Sequence, residues 1–153
     1  MPDRSELALQ LTDAIAAARA AVERAGDRAF RTYGLSHRAH GALNAVDLGG
    51  ADGARPKDIA AALSVSRAAA TTFIQRLEAK GLVETTPDSE DDRGVRVTLT
   101  RHGIDVLLRV GQLERRLAAR AIEGMPASSI ARAVHVLQEF KRRLEEKQIG
   151  VVR

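Results

Sequence analysis

The chain has 153 residues, 44% hydrophobic but only 3% aromatic, with no cysteine and a formal net charge of +4. The length suits one domain with a real core. The lack of cysteine excludes disulfides, thiolate nucleophiles and cysteine-based redox sensing. No apolar run approaches the ~20 residues that span a bilayer, and Met1-Pro2-Asp3-Arg4 lacks a signal peptide's apolar region, so a soluble cytoplasmic protein without membrane partners is expected. No serine, histidine and acid set has a nucleophile's local context and no glycine-rich phosphate loop is present, so neither an enzyme nor a cofactor is expected.

In chain order, residues 4 to 33 read as a first long helix, with Leu7, Leu11, Ile15, Ala18 and Val22 at helical spacing and Gly34 as its stop. About 30 residues at 1.5 Å each give roughly 45 Å, more than one small domain needs, so the surplus apolar stripe is expected to meet another subunit. Ser36 caps a second helix to about Leu48, with Ala39, Leu43 and Val46 inward. The run Gly49-Gly50-Ala51-Asp52-Gly53 reads as a flexible connection. Pro56 to Leu63 forms a short helix with Ile59, Ala60 and Leu63 toward the core.

The turn Leu63-Ser64-Val65-Ser66 leads into a helix from about Arg67 to Lys80, capped by Ser66 and stopped by Gly81. Ala70, Phe73, Ile74 and Leu77 share its inner side. Arg67, Ala68, Thr71, Thr72 and Gln75 form a short, polar, weakly charged outer face, suited to a major groove. Two β-prone runs follow, Leu82 to Thr86 and Val95 to Leu99, around a turn-rich tip from Pro87 to Gly94. A helix feeding such a hairpin is a winged helix-turn-helix, its helix in the major groove and its loop tip in the neighbouring minor groove.

Thr100 caps a long fifth helix whose apolar positions are Ile104, Leu107, Leu108, Leu113, Leu117, Ala121 and Ile122, ended by Gly124-Met125-Pro126. A last helix, Ala127 to Gln148, repeats Ile130, Val134, Leu137, Phe140 and Leu144 in near-heptad rhythm. The expected architecture is mostly α with a small β-hairpin wing: one domain over 1–153, with a lobe at 36–103 and dimerisation helices at 4–34 and 104–149. An intramolecular antiparallel bundle of the terminal helices is the alternative. The positive charge is not concentrated on the reading head. Residues 55 to 101 hold 8 Lys/Arg and 7 Asp/Glu, against 10 and 6 in residues 102 to 153.

Asp58-Ile59-Ala60 through Val65-Ser66-Arg67, then Arg76-Leu77-Glu78-Ala79-Lys80-Gly81-Leu82-Val83, then Asp91-Asp92-Arg93 with Leu99-Thr100-Arg101-His102-Gly103, resemble the MarR family of bacterial transcription regulators. The resemblance implies a homodimer on double-stranded DNA at a pseudo-palindromic operator. It places Ser66, Arg67, Ala68, Thr71, Thr72 and Arg76 on the DNA-facing helix, to which the outer-face reading adds Gln75. It matches Arg93 to the arginine that enters the minor groove, and Asp91 to the aspartate that supports the wing. It also implies a crevice for a small aromatic or anionic effector, near which Phe30, Arg31, Tyr33, His37, Arg38 and His40 stand, with Phe30, Tyr33, His37 and His40 as the candidate contacts. His37 and His40 share a helix face with Asp47 nearby, but two histidines fall short of a zinc set, so no metal is expected.

Two departures accompany the resemblance. Asp92 stands where members often carry a second arginine, and Arg55 stands before Pro56 where they often carry a capping Ser or Thr. The acidic run Asp88, Glu90, Asp91 and Asp92 would repel phosphates unless it turns away or pairs with Arg93, Arg96 or Arg76. The reading is a homodimeric repressor released by a small molecule. A low-specificity architectural DNA binder without effector, or a winged-helix protein-interaction module, remains open.

Overall fold

The computed structural model describes residues 3–146; of Asp92 and Arg93 it describes the backbone alone. Elements follow in the order α1 (Arg4–Phe30), a 3-10 turn (Arg31–Tyr33), α2 (His37–Asp47), a second 3-10 turn (Gly50–Asp52), α3 (Pro56–Leu63), α4 (Arg67–Ala79), β1 (Val83–Asp88), β2 (Asp91–Leu99), α5 (Arg101–Ala121) and α6 (Ala127–Glu146). The expected end of the last helix, at Gln148 or 149, lies outside the described residues. The chain forms two compact units, residues 1–115 and 116–153. Among the described residues no helix is long and apolar enough to cross a membrane.

The helix boundaries follow from the caps. Ser36 accepts from the Ala39 amide, Ser66 from that of Ala69 and Thr100 from that of Gly103, each at 2.9 to 3.1 Å. The first helix stops at Phe30 and tightens into its 3-10 turn before Gly34 takes left-handed backbone. At the end of α3 the same left-handed position falls on Ser64, at φ 52 and ψ 46, and the Val65 amide closes on the Ala60 carbonyl at 3.0 Å. Ser64 is the one described non-glycine residue with positive φ, and it makes the turn of the helix-turn-helix.

The glycine-rich connection is not the flexible link its composition suggests. Gly49 sits where a Cβ would come within 2.5 Å of the Ala54 nitrogen, and Gly53 where one would meet the Val97 carbonyl oxygen at 2.9 Å. These contacts let the chain turn tightly and lay Ala54 beside β2, where Ala54 and Val97 exchange two backbone hydrogen bonds of 2.9 Å. The two-stranded wing thereby gains a one-residue third strand, contributed by the segment that starts α3.

In the first unit Phe30, Leu43, Val46, Ile59, Ile74, Leu77, Leu82, Val83, Val97 and Val110 are all buried. The stripe of α5 differs from the one its apolar residues suggest. Gly103, Val106, Leu107 and Val110 face inward, while Ile104 and Leu108 are 45% and 59% exposed. Gly103 is the reason: a Cβ there would lie 1.9 Å from the Leu82 carbonyl oxygen, so the helix can lie against Leu82 only with this face. Leu7, Leu9 and Val22 of α1 are also exposed.

In the second unit, Val134, Leu137 and Leu144 of α6 are 42 to 48% exposed. Glu139, bonded by Arg142 and Arg143, is held down to about 2.

Replacing Ser64 by glycine removes the left-handed penalty of an L side chain at the cost of a looser unfolded chain, for an expected net gain of about 0.5 kcal/mol. Gly103→Ala drives a methyl into backbone and is expected to lose about 1–3 kcal/mol. Chemical denaturation followed by circular dichroism checks both signs.

Candidate nucleic-acid interface

The outer face of α4 is built as its spacing requires. Ala70, Ile74 and Leu77 are buried and Phe73 half-buried, which turns Ser66, Arg67, Ala68, Thr71, Thr72, Gln75 and Arg76 outward, all exposed. Thr71 donates to the Arg67 carbonyl at 3.0 Å and Thr72 to that of Ala68 at 3.1 Å. These bonds fix both rotamers while leaving hydroxyl lone pairs to accept. Ser66 spends its acceptor on the cap and keeps its proton to donate. The face carries only two cations, Arg67 and Arg76, so what it offers a groove is shape and short polar groups.

The wing is fixed to this helix at its base. Glu78 on α4 accepts from the Thr85 amide at 3.1 Å and the Thr85 hydroxyl at 2.6 Å. Glu78 lies in a segment that carries the family resemblance, but the sequence assigns it no role, because a glutamate near a helix end is ordinarily solvated. At the same junction Leu82 donates to the Leu77 carbonyl, Thr100 donates through its amide to the Leu82 carbonyl, and the Thr100 hydroxyl donates to the Gly81 carbonyl at 2.6 Å.

The hairpin is longer than its composition suggests. Residues 87 to 94 read as a loop, yet β1 runs to Asp88 and β2 starts at Asp91, leaving Ser89 and Glu90 as the tip. Val83 pairs with Leu99 and Pro87 with Val95, and an irregularity after Pro87 brings Asp88 opposite Asp91. Gly94 allows this approach, since a Cβ there would crowd both aspartates at 3.0 Å.

Two of the wing acids are consumed by arginines. Asp88 Oδ2 receives Arg55 Nε at 2.7 Å and Arg96 Nε at 3.0 Å, and Glu90 Oε2 receives Nη2 of Arg55 at 2.8 Å and of Arg96 at 3.1 Å. Two guanidiniums and two carboxylates thus alternate in one ring, closed by the Glu90 amide on Asp88 Oδ1 at 3.0 Å. The Asp88 carboxylate is buried and held down to about 2, first by Arg55, then by the Glu90 amide and Arg96. Arg96 was among the expected partners of the acidic run, whereas Arg55 carried no such signal. Its side chain makes no cap bond to α3 and reaches the wing instead. Asp91 is exposed at the start of β2, and the side chains of Asp92 and Arg93 lie outside the described residues.

At the other end of the lobe, Phe30 and His40 are 1% and 2% exposed, with ring centroids 5.1 Å apart, and His37 stacks on Phe30 at 6.1 Å. Phe30 and His40 therefore sit in the core, while Tyr33 and His37 are half-buried. His40 Nδ1 lies 3.7 Å from Glu114, and Nε2 lies 3.4 Å from the Asn44 amide nitrogen. Burial pushes the His40 pKa down, against the pull of Glu114 and with that of His37. Beside His37 a cavity of about 280 Å³ is lined by Arg19, Val22, Glu23, Arg38 and Leu63, with Arg38 Nη2 3.3 Å from Glu23. Arg38 is one of the residues expected near the crevice and lines this cavity, whereas Arg19 carried no signal in the sequence, because an arginine on a helix surface is usually solvated. Among the described residues no group of three His, Asp or Glu side chains is placed to hold a metal ion.

A MarR family model matches residues 33–94. The transcriptional repressor IacR of Pseudomonas putida is 29% identical over 75 residues, 49% of this chain and 45% of that protein, so the matched segment spans under half of its length. The regulator BldR of Sulfolobus solfataricus superposes with a TM-score of 0.83 at 24% identity, covering 93% of this chain and 99% of that one. A cysteine-to-serine mutant of E. coli MarR complexed with operator DNA superposes with a TM-score of 0.78 at 24% identity, covering 91% of this chain and 99% of that one. The fold, mostly α with a β-hairpin wing, is that of these winged-helix proteins.

The Asp88 value sets an acid limit for the wing. A carboxylate whose folded pKa is depressed below its usual 3.8 contributes stability that is present above that pH and lost as pH falls toward about 2. The stability difference between wild type and Asp88→Asn is therefore expected to be constant from pH 7 to about 4.5 and to shrink below that. Urea unfolding of both proteins across this range measures it.

Proposed function

We propose that the chain is a MarR-family protein through its winged lobe, residues 33–94, which the family model matches, and that it is a sequence-specific DNA-binding transcriptional regulator acting as a homodimeric repressor. The observation that carries this reading is the exposed, weakly charged face of α4 standing beside a hairpin bonded to it through Glu78 and Thr85. Ser66, Arg67, Ala68, Thr71, Thr72, Gln75 and Arg76 meet base edges and phosphates of a major groove. Arg93, beside Gly94 in the wing, enters the adjacent minor groove, and Asp91 supports the wing there. The operator-bound E. coli protein of like fold supports the DNA partner, and the IacR likeness supports the repressor role.

The second copy follows from apolar surface. Leu7, Leu9 and Val22 of α1, and Val134, Leu137 and Leu144 of α6, are exposed on helices long enough to pair across a two-fold axis. Such a dimer presents two α4 helices to major grooves about 34–36 Å apart on a pseudo-palindromic operator. The effector, a small aromatic or anionic molecule, enters beside His37, where Arg19 and Arg38 border the cavity and offer charge to an anion; Tyr33 does not line it. Phe30 and His40 form the packed layer behind His37. The effector releases DNA only to the extent that it prefers the dimer whose heads are mis-spaced.

Fluorescence anisotropy on duplexes tiling the DNA upstream of its own gene, with a scrambled control and a salt series, tests the reading. One tile is expected to bind at least about 1,000-fold more tightly than the scrambled duplex. Equal binding to all duplexes would establish an architectural binder, and no binding at low salt a protein-interaction module. On the preferred tile Arg93→Ala is expected to lose about 1–3 kcal/mol; equal affinity would remove Arg93 from the interface.

A further inference from the structure

We infer that Arg55 is a wing-positioning residue: together with Arg96, Asp88 and Glu90 it locks the hairpin to the first helix of the helix-turn-helix, so that wing and α4 present to DNA as one rigid body. The inference rests on the proposed DNA-binding role and extends it to residues that need not touch DNA.

Three observations carry it. Arg55 is the N-cap residue of α3 but makes no capping bond; its guanidinium spans 33 and 35 positions of sequence to Asp88 and Glu90. Its neighbour Ala54 pairs with Val97 through two backbone bonds, so the start of α3 is itself the wing's third strand. Arg96, on β2, bridges the same two acids and reaches the Gly53 carbonyl at 3.4 Å, which ties the ring back to the turn before α3. Backbone pairing at 54 and 97 holds the middle of the hairpin, and the ring holds its distal end. A fork is needed for this, because one guanidinium must engage two carboxylates at once, which an ammonium on a flexible stem does poorly.

The sign of one substitution separates positioning from charge. Removing a carboxylate from an element that faces phosphates tightens DNA binding on electrostatic grounds alone. If the ring positions the wing, removing Asp88 or Glu90 must weaken binding instead, because the preorganised pitch of the hairpin is lost.

The experiment measures affinity for the tightest-binding tile by anisotropy for wild type, Asp88→Asn, Glu90→Gln, Arg55→Ala and Arg55→Lys, with melting temperatures of all five. Asp88→Asn, Glu90→Gln and Arg55→Ala are each expected to weaken binding by about threefold to tenfold, with Arg55→Lys close to Arg55→Ala. Hydroxyl-radical footprints are expected to lose minor-groove protection while guanine protection in the major groove stays. Glu90, whose side chain is 70% exposed, decides the question if Asp88→Asn fails to fold. Equal or tighter binding by the acid variants overturns the inference alone, as does full recovery by Arg55→Lys, or a uniform loss over both grooves in a folded Arg55→Ala, which would mark a direct phosphate contact. A wild-type protein that binds no duplex overturns the regulator reading and this inference with it.

Discussion

The backbone at Gly81 and Leu82 is the constraint on which the lobe depends. Leu82 closes α4 by donating to Leu77, accepts the Thr100 amide from the end of β2, and lies against Gly103 of α5 with no room for a Cβ between them. Gly81 carries the left-handed turn and accepts the Thr100 hydroxyl. Four elements therefore meet through a few backbone atoms, and the angle at which the wing leaves α4 is set there before any side chain in the wing is considered. Thr100 serves both sides: its oxygen caps α5 while its proton goes to the end of α4.

A hairpin held only at its base is a lever, and two further ties stop it swinging. Glu78 holds β1 to α4, and the ring of Arg55, Arg96, Asp88 and Glu90 holds the tip end to the start of α3. The ring also pairs two of the four wing acids, Asp88 and Glu90. Its acids face arginines within the lobe, and the Asp88 carboxylate, buried between two guanidiniums, titrates far below the range of a solvated acid. Arg55 in place of a capping hydroxyl and acids in place of neutral wing residues are thus two parts of one arrangement, each costly without the other.

The aromatic group at the end of α1 shows why candidate sites are harder to read than folds. Phe30, His37 and His40 do come together, as their proximity in sequence implied, but two of the three are core residues and the open volume lies on the far side of His37, beside Arg19 and Arg38. Helical spacing tells which residues share a face; whether that face borders a void depends on the elements packed against it.

The sequence by itself determined the order and type of every described helix and of the hairpin, because these rest on local signals: hydroxyl caps at Ser36, Ser66 and Thr100, glycine stops at Gly34 and Gly81, and periodic burial along α4. It also determined which face of α4 is outward, since Ala70, Ile74 and Leu77 leave only one stripe for water. Tertiary structure alone decided the rest. The glycine run at 49–53 became a tight turn because Ala54 finds a partner 43 residues away in Val97, and α5 turned Gly103 inward because a carbonyl waited there. Arg55 became part of the wing because the chain returned two carboxylates to it. Each depends on a contact between residues far apart in sequence, and no local propensity encodes where such partners will meet.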